Sequence, residues 1–176
     1  MSRDYQIGEH VVYGSSGVCK IEEIRRGYRL MDDIPPADYY VLKPLSSASS
    51  TVFVPLGSDT ASKKMRPVLS KSEIDELIAS VGTDAIYWID DRKERLSAFR
   101  AVLQQGDRRD QILLIRCILL RVRELEAKRR HLATADSDIL QAAQRAVREE
   151  FAFALGLRPD AVPEYVRNGL AQNNSI

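Results

Sequence analysis

The sequence predicts an α+β protein, a small β-barrel at the N-terminus followed by an all-α helical bundle. Three observations carry that expectation. Up to about Arg66 the apolar residues alternate in short runs broken by Gly, Ser and Pro clusters, the pattern of strands and turns. After Pro67 the apolar spacing changes to the helical period. The chain has 176 residues, 44% hydrophobic and 29% charged, enough apolar material for ordinary cores and unlike an extended disordered segment. The expected boundaries are 1–66 for the barrel, 67–170 for the helices and 171–176 for a frayed tail.

Strands are expected near 9–13, 18–25, 38–43 and 51–55. The first two flank Gly14-Ser15-Ser16-Gly17, a turn whose glycines supply positive φ. Met31-Asp32-Asp33-Ile34-Pro35-Pro36 can continue neither strand nor helix, and Ser46-Ser47-Ala48-Ser49-Ser50 reads as a hairpin loop. Some five short strands in this length suggest an SH3-like or Tudor-like barrel, with Lys63-Lys64-Met65-Arg66-Pro67 as the exit from it.

Ser70 with Glu73, or Ser72 with Asp75, offers an N-cap for a helix at about 71–80 that stops at Gly82. A second helix is expected from Asp84 or Asp90 to Gln105, stopped by Gly106. A third covers about 108–131 and a fourth about 136–155, with a last turn or short helix near Pro159 to Pro163. The third is the expected centre of the bundle, because Ile112 to Ile115 and Ile118 to Leu120 make it apolar on most sides. Arg92 on the second helix and Glu150 on the fourth each interrupt an apolar stripe. A charge facing a core must be paired, so Arg92 or Arg95 is expected to meet Glu150 or Glu149.

Charge is uneven along the chain. Residues 92 to 130 carry 12 Lys/Arg against 5 Asp/Glu, whereas residues 135 to 176 carry 4 against 6. Within the basic stretch Arg109, Arg116, Arg123 and Arg130 recur every seven residues, which on a helix places guanidiniums about 10 Å apart in one stripe. Such a stripe is either a solvated face or a track for phosphates.

Signals for chemistry are poor. Gly14-Ser15-Ser16-Gly17 lacks the lysine and helix onset of a phosphate-binding loop. Asp32-Asp33 lies in a loop, and Asp90-Asp91 sits where helix capping explains it. No nucleophile-base arrangement stands in a plausible context. Neither His10 nor His131 has ligand-like spacing to Cys19 or Cys117, so no metal or cofactor is expected. Both cysteines sit among apolar neighbours and read as buried, reduced thiols of a cytoplasmic protein. No apolar run reaches the roughly 18 residues of a membrane span, and the first residues lack the apolar core of a secretory signal. The sole tryptophan, Trp88, reads either as a core plug or as a wedge against nucleic acid.

Several segments in order resemble the CarD family of bacterial transcription regulators, in a longer-tailed branch. They are Ile7-Gly8 with Val11-Val12-Tyr13, Gly17-Val18, Tyr39-Tyr40-Val41-Leu42, Thr51-Val52-Phe53-Val54-Pro55, Arg66-Pro67-Val68, Trp88 and Gly106-Asp107. The resemblance implies a Tudor-like domain that binds the β subunit of bacterial RNA polymerase, a module shared with transcription-repair coupling factors. It also implies a helical domain that contacts promoter DNA at the upstream edge of the melted region, where a tryptophan wedges into the minor groove and favours the open complex. By position, the polymerase-binding residues would be Arg25, Arg26, Tyr40, Lys43, Thr51, Val52, Phe53, Val54 and Pro55. The DNA-binding residues would be Trp88, Arg92, Lys93, Arg95, Arg100, Arg108, Arg109 and Arg116. A cytoplasmic monomer associated with the nucleoid through polymerase is expected. Two positions depart from the family pattern: Phe53 stands where a basic residue is common, and Trp88 is followed by Ile89-Asp90-Asp91 before the basic residues. The alternative function is a protein–protein adaptor that does not bind DNA, its helical bundle serving to pack or dimerise.

Overall fold

Val11 to Tyr13 and the alternating residues after Val18 form a β-hairpin, as the apolar pattern predicts. A computed structural model of the chain describes residues 4–47, 49–58, 63–82 and 84–173. Strands β1 (His10–Tyr13) and β2 (Val18–Tyr28) pair antiparallel with Val11 opposite Cys19. The connection is a single 3-10 turn, Gly14–Ser16, entered at φ 46 by Gly14 and left at φ 70 by Gly17, backbone conformations that side-chain-bearing residues adopt only with strain. Strands β3 (Ala37–Pro44) and β4 (Val52–Pro55) continue the meander, and β5 (Met65–Pro67) returns to pair with β1. The sheet order is β4-β3-β2-β1-β5, consistent with a Tudor-like domain.

The segment read as an exit is therefore the edge strand β5. Met65 drops its side chain into the core, and Pro67 sits at a sheet edge, where its missing N–H costs no ladder bond. The β2–β3 ladder shifts register between Ile21 and Glu23 and again between Arg25 and Tyr28, irregularities that bend long β2. One face of the sheet closes over Val11, Cys19, Ile21, Tyr40, Leu42 and Val54.

The chain divides into two units, Met1–Val68 and Leu69–Ile176. In the second unit the described residues form five helices of 11 residues or more: α1 (Lys71–Val81), α2 (Arg92–Gln105), α3 (Arg108–Ala127), α4 (Thr134–Leu155) and α5 (Val162–Asn173). Ser70 and Glu73 form a reciprocal capping box at the start of α1. Asp91 and Asp107 cap α2 and α3 by accepting the amides of Glu94 and Asp110. Of the two starting points expected for the second helix, the later one holds.

Helix α3 ends at Ala127, short of the expected limit near His131, and Arg129 adopts a positive φ of 54. No apolar residue between Ala127 and Leu132 anchors Lys128-Arg129-Arg130 to the bundle, so Arg130 leaves the helical arginine stripe. The last turn expected near Pro159 is instead the start of a 12-residue helix, α5, which runs into the tail expected to fray. Of that tail, residues 174–176 lie outside the described residues.

Helix α3 is central, as expected. Its Ile112 and Leu113 pack with Ile74, Ile78, Val147 and Phe151. Its Leu114, Cys117 and Ile118 pack on a second side with Phe99 and Ile139. The pairing of buried charges differs from the expectation. Glu150 meets Arg108 of α3, Nε to Oε2 at 2.7 Å, and also accepts the Leu69 amide at 3.1 Å. Arg95 meets Asp136, with two bonds of 3.0 and 3.1 Å. Position 150 lies 14 residues along α4 from Asp136, roughly 21 Å at 1.5 Å per residue, so the α2 end that meets Asp136 lies far from Glu150.

Candidate macromolecule-binding surfaces

Among the described residues of the first unit, β4 is a sheet edge that pairs only with β3. Such an edge presents unpaired backbone N–H and C=O groups and is a template for strand addition. Alternation decides which side chains accompany it. Val52 and Val54 face the core, while Phe53 faces outward. The same parity on β3 turns Tyr40 and Leu42 inward and Tyr39 outward.

The expected polymerase-binding residues thus fall into two groups. Tyr40 and Val54 are corrected to core residues. The Tyr40 ring meets Tyr5 edge-on at 6.2 Å and its hydroxyl accepts the Tyr5 amide, so neither Tyr40 nor Val54 offers its side chain to a partner. Thr51, Val52, Phe53, Pro55, Arg25, Arg26 and Lys43 are at least partly exposed, Val52 while packing against the core. Phe53 stacks on Tyr28 and meets Tyr39 edge-on at 6.2 Å. The Arg25 guanidinium carbon lies 4.8 Å from the Tyr28 ring and 5.7 Å from that of Phe53. Glu23 holds Arg25 through Nε at 3.0 Å, which raises the guanidinium pKa further. Arg26 is bound to Asp38 at 2.8 Å, and Lys43 donates to the Thr51 hydroxyl at 2.8 Å. The Gly27 amide and then Arg26 hold the Asp38 carboxyl below its ordinary range.

Tyr28 therefore belongs to this surface and Tyr39, only 5% exposed, supports it from beneath, although neither was among the expected site residues. Their signal was strand parity: Tyr39, Val41 and Lys43 share one face of β3, opposite Tyr40 and Leu42.

In the second unit the expected DNA-binding residues also separate. Arg95 and Arg108 are only 6% and 3% exposed and hold buried carboxylates, so neither offers its guanidinium to a phosphate. This corrects both assignments: a positive charge inside the bundle is retained only with its partner. Arg109 is bonded to Asp84 and to Ser80, and Arg116 donates to the Gly82 carbonyl at 3.1 Å, so both fasten the C-terminal end of α1. Arg92, Lys93 and Arg100 on α2 are exposed and have no carboxylate partner among the described residues.

Trp88 is half-buried. Its ring meets Phe99 edge-on at 6.0 Å and is approached by two guanidiniums, Arg95 at 4.3 Å and Arg121 at 5.2 Å. Its neighbour Tyr87 is 81% exposed, an aromatic that sequence inspection passed over because the tryptophan dominates the segment.

Among the described residues no group of three or more metal-ligating side chains comes together, and no helix is long and apolar enough to cross a membrane. Cys19 and Cys117 are both buried. Residues 5–69 match the family model of the CarD-like/TRCF RID domain. No curated protein matches the chain.

Proposed function

The N-terminal unit is a member of the CarD-like/TRCF RID family of RNA polymerase-interacting domains, and from that premise we propose a transcription regulator that bridges polymerase and promoter DNA. The observation that carries the first half is the free β4 edge within the matched residues, flanked by the partly exposed Phe53 ring. In this reading the β4 backbone adds to a sheet of the polymerase β subunit, and Phe53 and Arg25 form the adjoining contact. With an aromatic residue at position 53, that contact rests on buried area more than on charge.

The second half of the proposal is that the helical unit touches promoter DNA beside the melted region through Arg92, Lys93 and Arg100. Tyr87 and the accessible edge of Trp88 then meet the minor groove. Contacts of this kind position the protein on the backbone without reading sequence. Three neutralised phosphates imply that log K falls against log salt with a slope of about −3. The bridge lengthens the life of the open complex.

The experiment is open-complex lifetime on a bacterial promoter with cognate polymerase, comparing wild type with Phe53→Glu and with the triple change Arg92→Ala, Lys93→Ala and Arg100→Ala. The proposal expects wild type to lengthen the lifetime and both variants, still folded, to lose the effect. Loss with Phe53→Glu alone would remove DNA contact from the reading. No effect of wild type despite polymerase binding would replace the bridge by an adaptor.

A further inference from the structure

A groove of about 330 Å³ lies between α3, α4 and α5, at the edge of the core that Ile112 and Val147 enter. Its floor is apolar: Leu119 and Leu120 from α3, Val147 from α4, and Val166 and Leu170 from α5. Leu119 is 40% exposed and Leu120 is 53% exposed, large apolar side chains lining one concavity. Its rim is cationic. Arg116, Arg123, Arg148 and Arg167 come from three helices, and no Asp or Glu is among the lining residues. Arg123, Arg148 and Arg167 have no carboxylate partner among the described residues, and Arg116 is held only by a backbone carbonyl.

We propose that this groove is the docking site for an acidic amphipathic helix of a partner protein. Shape and charge select that occupant together. The lining residues of α3, from Ile112 to Arg123, extend about 16 Å at 1.5 Å per residue, the length of a three-turn helix laid alongside. A helix with a leucine-rich face would bury Leu119 and Leu120, and acids flanking that face would meet the four guanidiniums as charge-assisted pairs. A DNA backbone has anionic oxygens for the rim but nothing apolar for the floor. The site lies within the helical unit and stands independently of the polymerase-binding reading.

The test uses the full chain and fluorescein-labelled peptides of about 15 residues, near the shortest length that forms a helix readily in water. One carries leucines at helical spacing flanked by glutamates. A second has the same composition with the spacing scrambled, and a third has lysines for glutamates. Fluorescence anisotropy is expected to show the first binding at least about tenfold more tightly than either control. Leu120→Glu and the pair Arg148→Glu with Arg167→Glu, at exposed or half-buried positions, are each expected to weaken it by about tenfold or more, with the helical circular dichroism unchanged. Equal binding of the scrambled or lysine peptide, or no response to either substitution, would overturn the proposal. So would a loss of duplex-DNA affinity in Leu120→Glu that matches its loss of peptide affinity, which would make the groove a DNA site. Self-association of wild type that Leu120→Glu abolishes would also overturn it, by giving the groove to a second copy of this chain.

Discussion

The rings of Phe53 and Tyr28 are stacked, with centroids 5.8 Å apart and planes 10° from parallel. The pair spans the sheet from β4 to the end of β2, across Tyr39 of β3, which meets both rings edge-on. An outward-facing aromatic layer next to a free strand edge gives a partner both backbone groups to pair with and apolar area to cover. The layer also contributes modestly to the fold. Phe53→Ala is expected to lower stability by about 1–2 kcal/mol, from a lost aromatic pair and some exposed area, as read by urea denaturation. A loss above about 4 kcal/mol would make Phe53 a core residue instead.

Glu150 and Arg108 are both buried, and each makes further hydrogen bonds, to the Leu69 amide and to Gln111. Removing one partner leaves a charge inside the bundle. Glu150→Ala is expected to cost about 3–5 kcal/mol, and the combination of Arg108→Met with Glu150→Leu to recover much of it. Urea titration followed by far-ultraviolet circular dichroism measures both. A cost below about 1 kcal/mol for Glu150→Ala would mean that the pair is solvated.

Trp88 is the only tryptophan, so its emission reports on one place. Arg121 covers one part of the indole with its side chain 30% exposed. Arg121→Ala is expected to shift the emission to the red and raise quenching by acrylamide while the fold persists. An unchanged spectrum would show that Arg121 does not screen the ring.

The Gly27 amide and Arg26 favour the charged form of Asp38, so its folded pKa lies below the unfolded value, which for Asp is about 3.9. The folded state then binds fewer protons than the unfolded state in that interval. The stabilisation is present above the unfolded value and disappears as pH falls through the folded one. Nuclear magnetic resonance of the Asp38 carboxyl carbon is expected to place its midpoint below about 3.9, with the Gly27 amide shift moving together with it. The stability difference between wild type and Asp38→Asn is expected to shrink as the carboxyl protonates. A midpoint at or above the ordinary value would contradict the assignment.

Gly169 of α5 packs directly on Ile78 of α1: a Cβ there would stand 2.8 Å from Ile78 Cγ2. Overpacking of this kind costs about 1–3 kcal/mol, more than the helix propensity of about 1 kcal/mol that replacing glycine returns. Gly169→Val is expected to be destabilising, and Ile78→Ala to be less harmful in that background than in wild type. Additive effects of the two changes would rule out direct contact.

Much of the fold was legible because local chemistry and packing agree there. The Gly14 to Gly17 turn, the Ser70/Glu73 box and the caps Asp91 and Asp107 each satisfy backbone groups within a few residues. Strand β5 escaped because three residues show no alternation and its partner β1 lies some fifty residues earlier. The inward turn of Tyr40 follows from strand parity, whereas β2 loses simple parity at the bulge after Ile21. Arg95 and Arg108 looked like surface cations because composition does not reveal helix rotation. Only the packing of α2, α3 and α4 assigns them to Asp136 and Glu150. The groove depends on α5, whose length the turn residues Pro159 and Pro163 concealed.

The most direct test of the central claim is the affinity of full-length wild type and Phe53→Glu for cognate bacterial RNA polymerase, measured by biolayer interferometry. Phe53→Glu is expected to bind at least about tenfold more weakly, a loss of about 1.4 kcal/mol or more, with its circular dichroism unchanged, while Leu120→Glu binds as wild type. Wild-type protein that fails to bind polymerase, or a folded Phe53→Glu that binds equally well, would contradict the assignment of the β4 edge and its aromatic layer as the polymerase-binding surface.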